Sequence, residues 1–337
     1  MENRGDMPIN LSDIDMNIIN LFLNTSWQNA KLIRVSVNGS SASYKLSLDI
    51  DGNPIIMLEP IILRPGSSIN ISYVQEVTEY YPRRSGLALN PSEELLRGNT
   101  LWQVNDADLQ SLAFRVCNGT KDDMEKLLSL VKWIHDNIRY GGEMPPRYPK
   151  EVYLARSGDC DEQAMLLITL CRIVGIPAFM QLGCVYMPNF RETSTFYDDH
   201  VSIELINLGW HAWVQAYTRK AGWLPVDLTF YARRTGTVLD LIEGAAIRNK
   251  GTLVLAHVYN YDYVHDARRL KELLENYNLR IIERDELIPK GGHVILRPGL
   301  TVLSAISSAI ILTIVLIILA KKEFIRTPTS NVMSTSL

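Results

Sequence analysis

The sequence has few of the residues that define several specialised protein classes. Its 337 residues include only four cysteines, and no Cys-x-x-Cys pair occurs, so neither a disulfide scaffold nor a zinc ribbon is expected. The six histidines form no His-Glu-x-x-His pattern, and we predict no metal or other cofactor. Fifteen prolines are too few for a disordered chain, and a net charge of −3 without basic clusters makes nucleic acid an unexpected partner.

Apolar residues, in contrast, are abundant and unevenly distributed. They make up 47% of the chain, and the mean hydropathy near zero is high for a purely soluble protein. The 21 residues that begin with Leu300 and end with Ala320 carry no charge. As a helix they would be about 31 Å long, which matches the ~30 Å hydrocarbon core of a bilayer. We therefore predict a transmembrane helix at 299–321, followed by a short polar tail at 322–337.

Charge and glycosylation motifs predict on which side of the membrane the body lies. The basic residues Lys321, Lys322 and Arg326 favour a cytoplasmic tail, although Lys290 and Arg297 weaken this asymmetry. Asn-x-Ser/Thr motifs, which favour an extracytoplasmic glycoprotein, occur at Asn10, Asn24, Asn38, Asn70 and Asn118. No signal peptide is visible in the sequence. If the body lies outside the cytoplasm, a signal peptide is expected upstream of Met1. The alternative is a tail-anchored protein whose body lies in the cytoplasm.

Hydrophobic periodicity divides the body into two predicted parts. Apolar residues alternate in three runs, typical of antiparallel strands with one buried face: Ile33, Val35 and Val37; Tyr44, Leu46, Leu48 and Ile50; Ile69, Ile71 and Tyr73. This pattern predicts a small β-sandwich-like module at 1–85, interpreted as a spacer or interaction domain. The second part, 86–298, contains the candidate catalytic residues and a membrane-proximal segment.

Two helices are predicted in the second part, followed by strands over 178–230. The first is capped by Thr120, has one apolar face up to Ile138 and ends at Gly141-Gly142. The second begins between Ser157 and Cys160 and ends at Gly175-Ile176-Pro177.

Cys160 lies in the first turn of the second helix. Positions 160, 164, 167, 171 and 174 form one apolar stripe, so its side chain is expected to face inward from the positive helix end, which lowers a thiol pKa. The neighbouring Asp159, Asp161 and Glu162 oppose this effect, and a base is still required. By itself, a cysteine on an apolar stripe is more often inert. That is the interpretation given to the other three, Cys117, Cys171 and Cys184.

His211 and Asp227 supply a base and its partner. A turn between Thr218 and Gly222 makes the two flanking strands a hairpin, and a turn centred on 219 or on 220 places both residues on the same face, opposite or one diagonal step apart. Cys160 would then attack a carbonyl, His211 would move the proton, and Asp227 would fix the imidazole tautomer. His200 is a rival base.

The sequence around these residues resembles that of the transglutaminase-like superfamily. Its cysteine motif is matched by Gly158-Asp159-Cys160, Ala164 and Arg172-x-x-Gly175-Ile176-Pro177, and its histidine and aspartate motifs by His211-Ala212-Trp213-Val214-Gln215 and Gly222-Trp223-Leu224-Pro225-Val226-Asp227-Leu228-Thr229. Gln215 replaces a common acidic residue, and Leu228 a common proline. The resemblance covers about residues 120 to 230.

This resemblance implies a papain-like α+β core with a Cys160-His211-Asp227 triad at a helix N-terminus facing a sheet. The backbone N–H of Cys160 is one candidate oxyanion donor, and the second is left open among Trp133, Tyr153 and Gln181. The stretch from 187 to 207, with Phe190, Arg191 and Tyr197, is expected to be a loop over the site.

The predicted function is that of a membrane-anchored cysteine peptidase or amidase acting on a peptide or protein substrate. A protein-crosslinking transglutaminase has the same acyl-thioenzyme with an amine as acceptor. A surface adhesion or scaffold protein that has kept the fold without turnover is the alternative from a different class. With Cys160 free, at most one disulfide is expected among the remaining three cysteines.

Overall fold

The computed structural model describes residues 1–80, 89–142, 144–230 and 237–290. The transmembrane helix predicted at 299–321 and the polar tail lie outside these residues. Within the described part of the chain, no helix is both long enough and apolar enough to cross a membrane.

The described residues form six α-helices and sixteen strands. The helices are α1 (Ala107–Val116), α2 (Asp123–Asn137), α3 (Pro149–Ala155), α4 (Cys160–Ile173), α5 (Asp240–Glu243) and α6 (Tyr263–Tyr277). The first nine strands are β1 (Glu2–Asn3), β2 (Ile9–Asn10), β3 (Ile18–Asn20), β4 (Gln28–Val37), β5 (Ser40–Ser41), β6 (Tyr44–Leu48), β7 (Pro54–Leu58), β8 (Ile62–Leu63) and β9 (Ile71–Glu79). The others are β10 (Arg139–Tyr140), β11 (Ser157–Gly158), β12 (Ala178–Phe196), β13 (Val201–Thr218), β14 (Gly222–Val226), β15 (Thr252–Val258) and β16 (Leu279–Glu286).

A six-stranded sheet organises the second part of the chain: five strands have the order β1-β16-β13-β12-β15, and the sixth, β14, pairs with β13. Its two long strands, β12 and β13, form one antiparallel hairpin. On its other side β13 pairs with β16 up to Ile206 and with β14 from Val214 onward. The residues between them, which include His211, therefore lie where β13 changes its partner.

Helix α4 is the central helix of the fold. All its residues from Cys160 to Arg172 are buried, and it packs against α1, α2, α3, β12 and β13. A helix buried on every side needs no polar face, so the predicted apolar stripe does point inward but is not distinguished from the rest of the helix. The chain leaves the helix through Gly175 in the left-handed conformation (φ +84°), as predicted.

The first predicted helix begins later and ends earlier than the sequence suggested. Its cap is Asp122 and not Thr120, because the Asp122 carboxylate accepts a hydrogen bond from the backbone N–H of Glu125. Thr120 instead donates its hydroxyl to the carbonyl of Cys117 in the preceding turn. The helix ends at Asn137, before Gly141-Gly142, because β10 follows and pairs with β11.

The N-terminal strands form two three-stranded sheets, β3-β7-β6 and β5-β4-β9, which confirms antiparallel strands in this region. Leu21, Val35, Ile56 and Leu58 form the apolar cluster between them. The prediction that the alternating apolar residues of β6 are buried is wrong. Leu46 and Leu48 are each 63% exposed, because β6 is a strand at the edge of its sheet and pairs only with β7 within the described residues.

The prediction that the stretch from 187 to 207 is a loop over the site is wrong. It is the outer half of the β12–β13 hairpin, in which Arg191 pairs with Ile206 and Phe196 with Val201. Strand β16 extends this arm by pairing in parallel with β13. The arm runs away from His211, so it does not cover that residue.

Candidate active site

Cys160 is the first residue of α4, and the local sequence explains why the helix starts there. Asp159 is the N-cap: its carboxylate accepts a weak hydrogen bond from the N–H of Glu162 (3.4 Å), whose own carboxylate accepts from the N–H of Asp159 (3.2 Å). This reciprocal capping box fixes the start of the helix. Cys160 is 2% exposed, so its thiol lies inside the protein at the positive end of a helix.

His211 lies opposite Gly183 on the neighbouring strand β12. A Cβ atom at Gly183 would lie 1.9 Å from the carbonyl oxygen of Leu253 and 2.9 Å from the Trp213 ring, so only glycine fits. The imidazole is 4% exposed and lies between two aromatic rings, with centroids 6.0 Å from Trp213 and 5.5 Å from Phe230.

Asp227 follows directly after β14 and holds His211. Its Oδ2 accepts hydrogen bonds from Nε2 of His211 (2.8 Å) and the N–H of Ala246 (3.0 Å). Its Oδ1 accepts from the N–H groups of Thr229 (3.2 Å) and Phe230 (3.0 Å). Burial alone would raise the pKa of Asp227, but the charge of His211 and these hydrogen bonds outweigh it and hold the pKa below its usual value. The carboxylate is therefore ionised at neutral pH.

The register of β13 and β14 shows which of the two predicted turn positions, 219 or 220, is present. Thr218 pairs with Gly222 and Val214 with Val226, which centres the turn on residue 220. His211 and Asp227 are consequently one diagonal step apart, the second of the two predicted arrangements. An imidazole that donates its Nε2 proton to Asp227 has its lone pair on Nδ1, which is the atom able to accept a proton.

The structure thus brings two of the three predicted residues into direct contact. The third, Cys160, lies at the start of α4, and α4 packs against the strand that carries His211. Cys160 also belongs to the same buried apolar cluster as Ala212, the next residue along β13.

The acidic residues beside Cys160 have partners that the sequence analysis did not identify. Both carboxylate oxygens of Glu162 accept from the Arg147 guanidinium, each at 2.9 Å, and Oε1 also accepts from the Arg147 backbone N–H. The hydroxyl of Tyr263 donates to Asp161 at 2.9 Å. Arg147 and Tyr263 come from segments 13 residues before and 103 residues after Cys160, and no local pattern in the sequence marks them.

His200, the rival base, lies at the far end of the hairpin. Its Nδ1 contacts the carbonyl oxygen of Leu279, and it is eleven residues from His211 along the chain. At about 3.3 Å per strand residue this separation is roughly 35 Å, so His200 lies far from the contact between His211 and Asp227.

The three candidates for the second oxyanion donor lie in different surroundings. The side chain of Gln181 is part of a buried network, in which its Oε1 accepts from Trp213 and Gln215 and its Nε2 contacts His257. Trp133 and Tyr153 contact each other, with ring centroids 6.0 Å apart, and the guanidinium of Arg156 lies over both rings. None of these contacts assigns the donor.

The four cysteines all lie in the described residues, and none forms a disulfide. Burial raises the pKa of the Cys171 and Cys184 thiols far above their usual value, and that of Cys117 to a smaller extent. These three thiols are therefore poor nucleophiles at neutral pH.

Comparison with known families identifies a domain in the middle of the chain. Residues 110–228 match the model of the transglutaminase-like superfamily, a range that contains Cys160, His211 and Asp227. The chain contains a transglutaminase-like domain. Its mixed α/β fold, with a buried helix packed on an antiparallel hairpin, is the core of that domain. No curated protein matches the chain in sequence.

Three solved structures illustrate the proteins to which this chain is similar. A candidate cysteine protease from Cytophaga hutchinsonii has 19% identity and a TM-score of 0.49, and the match covers 72% of this chain and 75% of that one. The periplasmic domain of TgpA from Pseudomonas aeruginosa has 16% identity and a TM-score of 0.34, with 64% and 68% covered. Red sea bream transglutaminase has 11% identity and a TM-score of 0.29, with 67% of this chain and 48% of that chain covered.

Proposed function

We propose that this chain is a cysteine hydrolase, a peptidase or amidase that works through an acyl-thioenzyme. The observation that carries this proposal is the buried hydrogen bond between His211 and Asp227, on the strand against which the Cys160 helix packs. A carboxylate that fixes one imidazole nitrogen and leaves the other to move a proton is the arrangement that activates a thiol.

In the proposed reaction, Nδ1 of His211 takes the proton of the Cys160 thiol, and the sulfur attacks the carbonyl carbon of a peptide or side-chain amide. The backbone N–H of Cys160 stabilises the oxyanion. The C–N bond breaks as the imidazolium gives its proton to the leaving amine. Nδ1 then deprotonates a water, which attacks the thioester, and the acid product leaves as the proton returns to the sulfur.

The acceptor decides between this function and protein crosslinking, since a lysine amine in place of water gives a transglutaminase. The two are separated by incubating the full-length protein with glutamine-containing peptides, with and without a fluorescent primary amine. We expect release of ammonia or new amino termini without incorporation of the amine. Incorporation that exceeds hydrolysis would instead support the crosslinking reaction.

The role of Cys160 is tested in the same assay with Cys160→Ser. A serine hydroxyl is a much weaker nucleophile here, so kcat/KM should fall by a factor of about 10³ or more. Cys117→Ser is the matched control, because Cys117 is also a free thiol but lies at the end of α1. Equal turnover by wild type and Cys160→Ser would show that the sulfur is not the nucleophile.

We further propose that the segment from Leu300 to Ala320 anchors the protein in a membrane with the body outside the cytoplasm. Four of the five sequon asparagines, Asn24, Asn38, Asn70 and Asn118, are exposed and so accessible to modification. Protease added to intact cells should digest the body. Protection of the body until the cells are lysed would place it inside.

A further inference from the structure

Three carboxyl groups surround the candidate nucleophile in sequence, and all three are fully buried. Asp159, Asp161 and Glu162 each have 0% exposure. Three ionised carboxylates in a low-dielectric interior would repel one another strongly and raise the pKa of the Cys160 thiol between them. The distribution of hydrogen-bond donors around them shows how this charge is limited.

Glu162 pairs with a nearby cation. Arg147, whose guanidinium forms the two-pronged ion pair described above, is 13% exposed, and it also donates to the carbonyl groups of Gly141 and Ser157. Burial raises the pKa of Glu162, while Arg147 opposes that rise. The cation is thus committed to Glu162, and the two aspartates must be stabilised in another way.

Asp159 and Asp161 each have one satisfied and one unsatisfied oxygen. Asp159 Oδ1 accepts from the Glu162 N–H, and Asp161 Oδ2 accepts from the Tyr263 hydroxyl. Asp159 Oδ2 and Asp161 Oδ1 are buried and have no hydrogen-bond donor among the described residues. Contact with the Asp161 side chain is one of the causes that raise the pKa of Asp159. Two ionised carboxylates cannot form a hydrogen bond with each other, because both only accept; they can form one when one of them is protonated.

We propose that Asp159 and Asp161 share one proton, which makes them positioning residues for Cys160: the hydrogen-bonded pair holds the start of α4 in place while carrying one negative charge instead of two. This inference deepens the proposed function, but its main readouts do not require catalytic activity. A bound cation is the rival way to satisfy both oxygens. The described residues include no cluster of three or more metal-binding side chains arranged to hold one, which favours the proton.

The surroundings agree with a protonated Asp159. Burial, followed by the charge of Asp161, holds the pKa of Asp159 well above its usual value. The groups that act on the pair are Glu162 on α4, Arg147 before α3 and Tyr263 on α6. Gly142 packs directly on the pair, since a Cβ atom there would lie 2.1 Å from Asp159 Oδ2.

Asp159→Asn tests the shared proton, because an amide can donate to Asp161 and accept from the Glu162 N–H without a titrating proton. Infrared spectroscopy of the full-length wild type at neutral pH should show the carbonyl band of a protonated carboxyl group. This band should lose the intensity of about one carboxyl group in Asp159→Asn, since other buried carboxyl groups such as Glu283 also have a raised pKa, and it should be unchanged in Asp136→Asn, a control at an exposed acid on α2. An identical spectrum in wild type and Asp159→Asn would overturn the proposal.

The pH dependence of the free energy of unfolding gives a second readout, which would not change if the pair had a purely structural role. A raised folded-state pKa means that the folded protein keeps a proton that the unfolded chain loses, so this pair's contribution to stability falls as the pH rises from about 4 through the folded pKa. In Asp159→Asn, the difference in the number of bound protons between the folded and the unfolded protein should be smaller by about one. An unchanged pH slope, or wild-type stability restored by an added divalent cation, would overturn the shared proton.

The reactivity of Cys160 connects the pair to the site. The rate of Cys160 alkylation in Asp159→Asn should stay within about threefold of wild type at neutral pH, since the charge beside the thiol is unchanged. Gly142→Ala, whose added Cβ would clash with the Asp159 carboxyl and displace it, should slow it by about tenfold or more. If Asp159→Asn does not fold, Asp161→Asn removes the other carboxyl group of the pair and gives the same tests; equal alkylation rates in wild type and Gly142→Ala would contradict the positioning role.

Discussion

At the scale of single residues, the site depends most on Asp227. This side chain is 1% exposed, yet both its oxygens are fully used by one imidazole and three backbone N–H groups. A buried carboxylate with that many donors is held in one position, and it holds His211 in turn. The sequence predicted the pair from strand parity, whereas the contact with Ala246 was not predictable, because Ala246 lies 19 residues after Asp227 in a segment without a recognisable motif.

Asp227→Asn should separate the orienting role of the carboxylate from its bulk. The amide has one acceptor oxygen and would present N–H to His211, which favours the wrong imidazole tautomer, so kcat/KM should fall by a factor of about 10³ to 10⁴. The measurement is turnover of the peptide substrate with folding checked by circular dichroism. A folded variant that keeps full activity would rule out the orienting role.

The same variant makes a prediction about acid stability. The pKa of Asp227 is lowered on folding, so its stabilising contribution is present above the unfolded pKa of about 4 and is lost as the pH falls through the lower folded value. In urea unfolding between pH 2 and 7, wild type should therefore lose more stability at low pH than Asp227→Asn. Asp6→Asn, at an exposed acid, should follow wild type, and parallel curves for all three proteins would contradict the prediction.

At the scale of elements, side-chain amides join the N-terminal strands to the edge of the main sheet. The amide of Gln28 on β4 donates to the carbonyl of Val254 and accepts from its N–H, each at 2.8 Å. Asn53 makes the same pair of bonds with His257, also at 2.8 Å. Each amide thus takes the place of a neighbouring strand along β15, whose edge would otherwise expose unpaired backbone groups.

Gln28→Ala should lower the free energy of unfolding by about 1 to 3 kcal/mol, because it leaves the buried N–H of Val254 without its acceptor, while the Val254 carbonyl keeps the N–H of Leu23. Asn29→Ala is the matched control, since Asn29 is the next residue on β4 and is exposed. Its effect should stay within about 0.5 kcal/mol. Urea unfolding monitored by tryptophan fluorescence measures both, and equal losses of stability would refute a specific role for Gln28.

Local patterns in the sequence predicted elements well and their long-range partners poorly. The start of α4 and the turn between β13 and β14 follow from capping and turn residues close in the chain. The outer arm of the hairpin was missed, although Val201, Ile203 and Leu205 alternate with polar residues as in a strand. Its partner β16 begins about 80 residues later, and such pairing leaves no local signal. The exposure of Leu46 and Leu48 likewise depends on which strands lie opposite.

At the scale of the whole molecule, residues from both predicted parts contribute to the main sheet and to the buried cluster that contains Cys160. Strand β1 completes the main sheet by pairing with β16, and Ile9 and Leu11 belong to the same buried cluster as Cys160. At the other end of the described chain, Lys290 lies 3.8 Å from Glu76 on β9. The predicted boundary near residue 85 stays a prediction about organisation, while the core itself draws on both sides of it.

The central claim is that one thiol among four is activated. Competitive alkylation of the folded, full-length protein with iodoacetamide near neutral pH, followed by peptide mapping, measures all four in one sample. Labelling in urea provides the reference for each cysteine. The account predicts that Cys160 reacts at least about tenfold faster than Cys117, Cys171 and Cys184, because burial raises the pKa of those three thiols. Equal labelling of all four cysteines in the folded protein would contradict it.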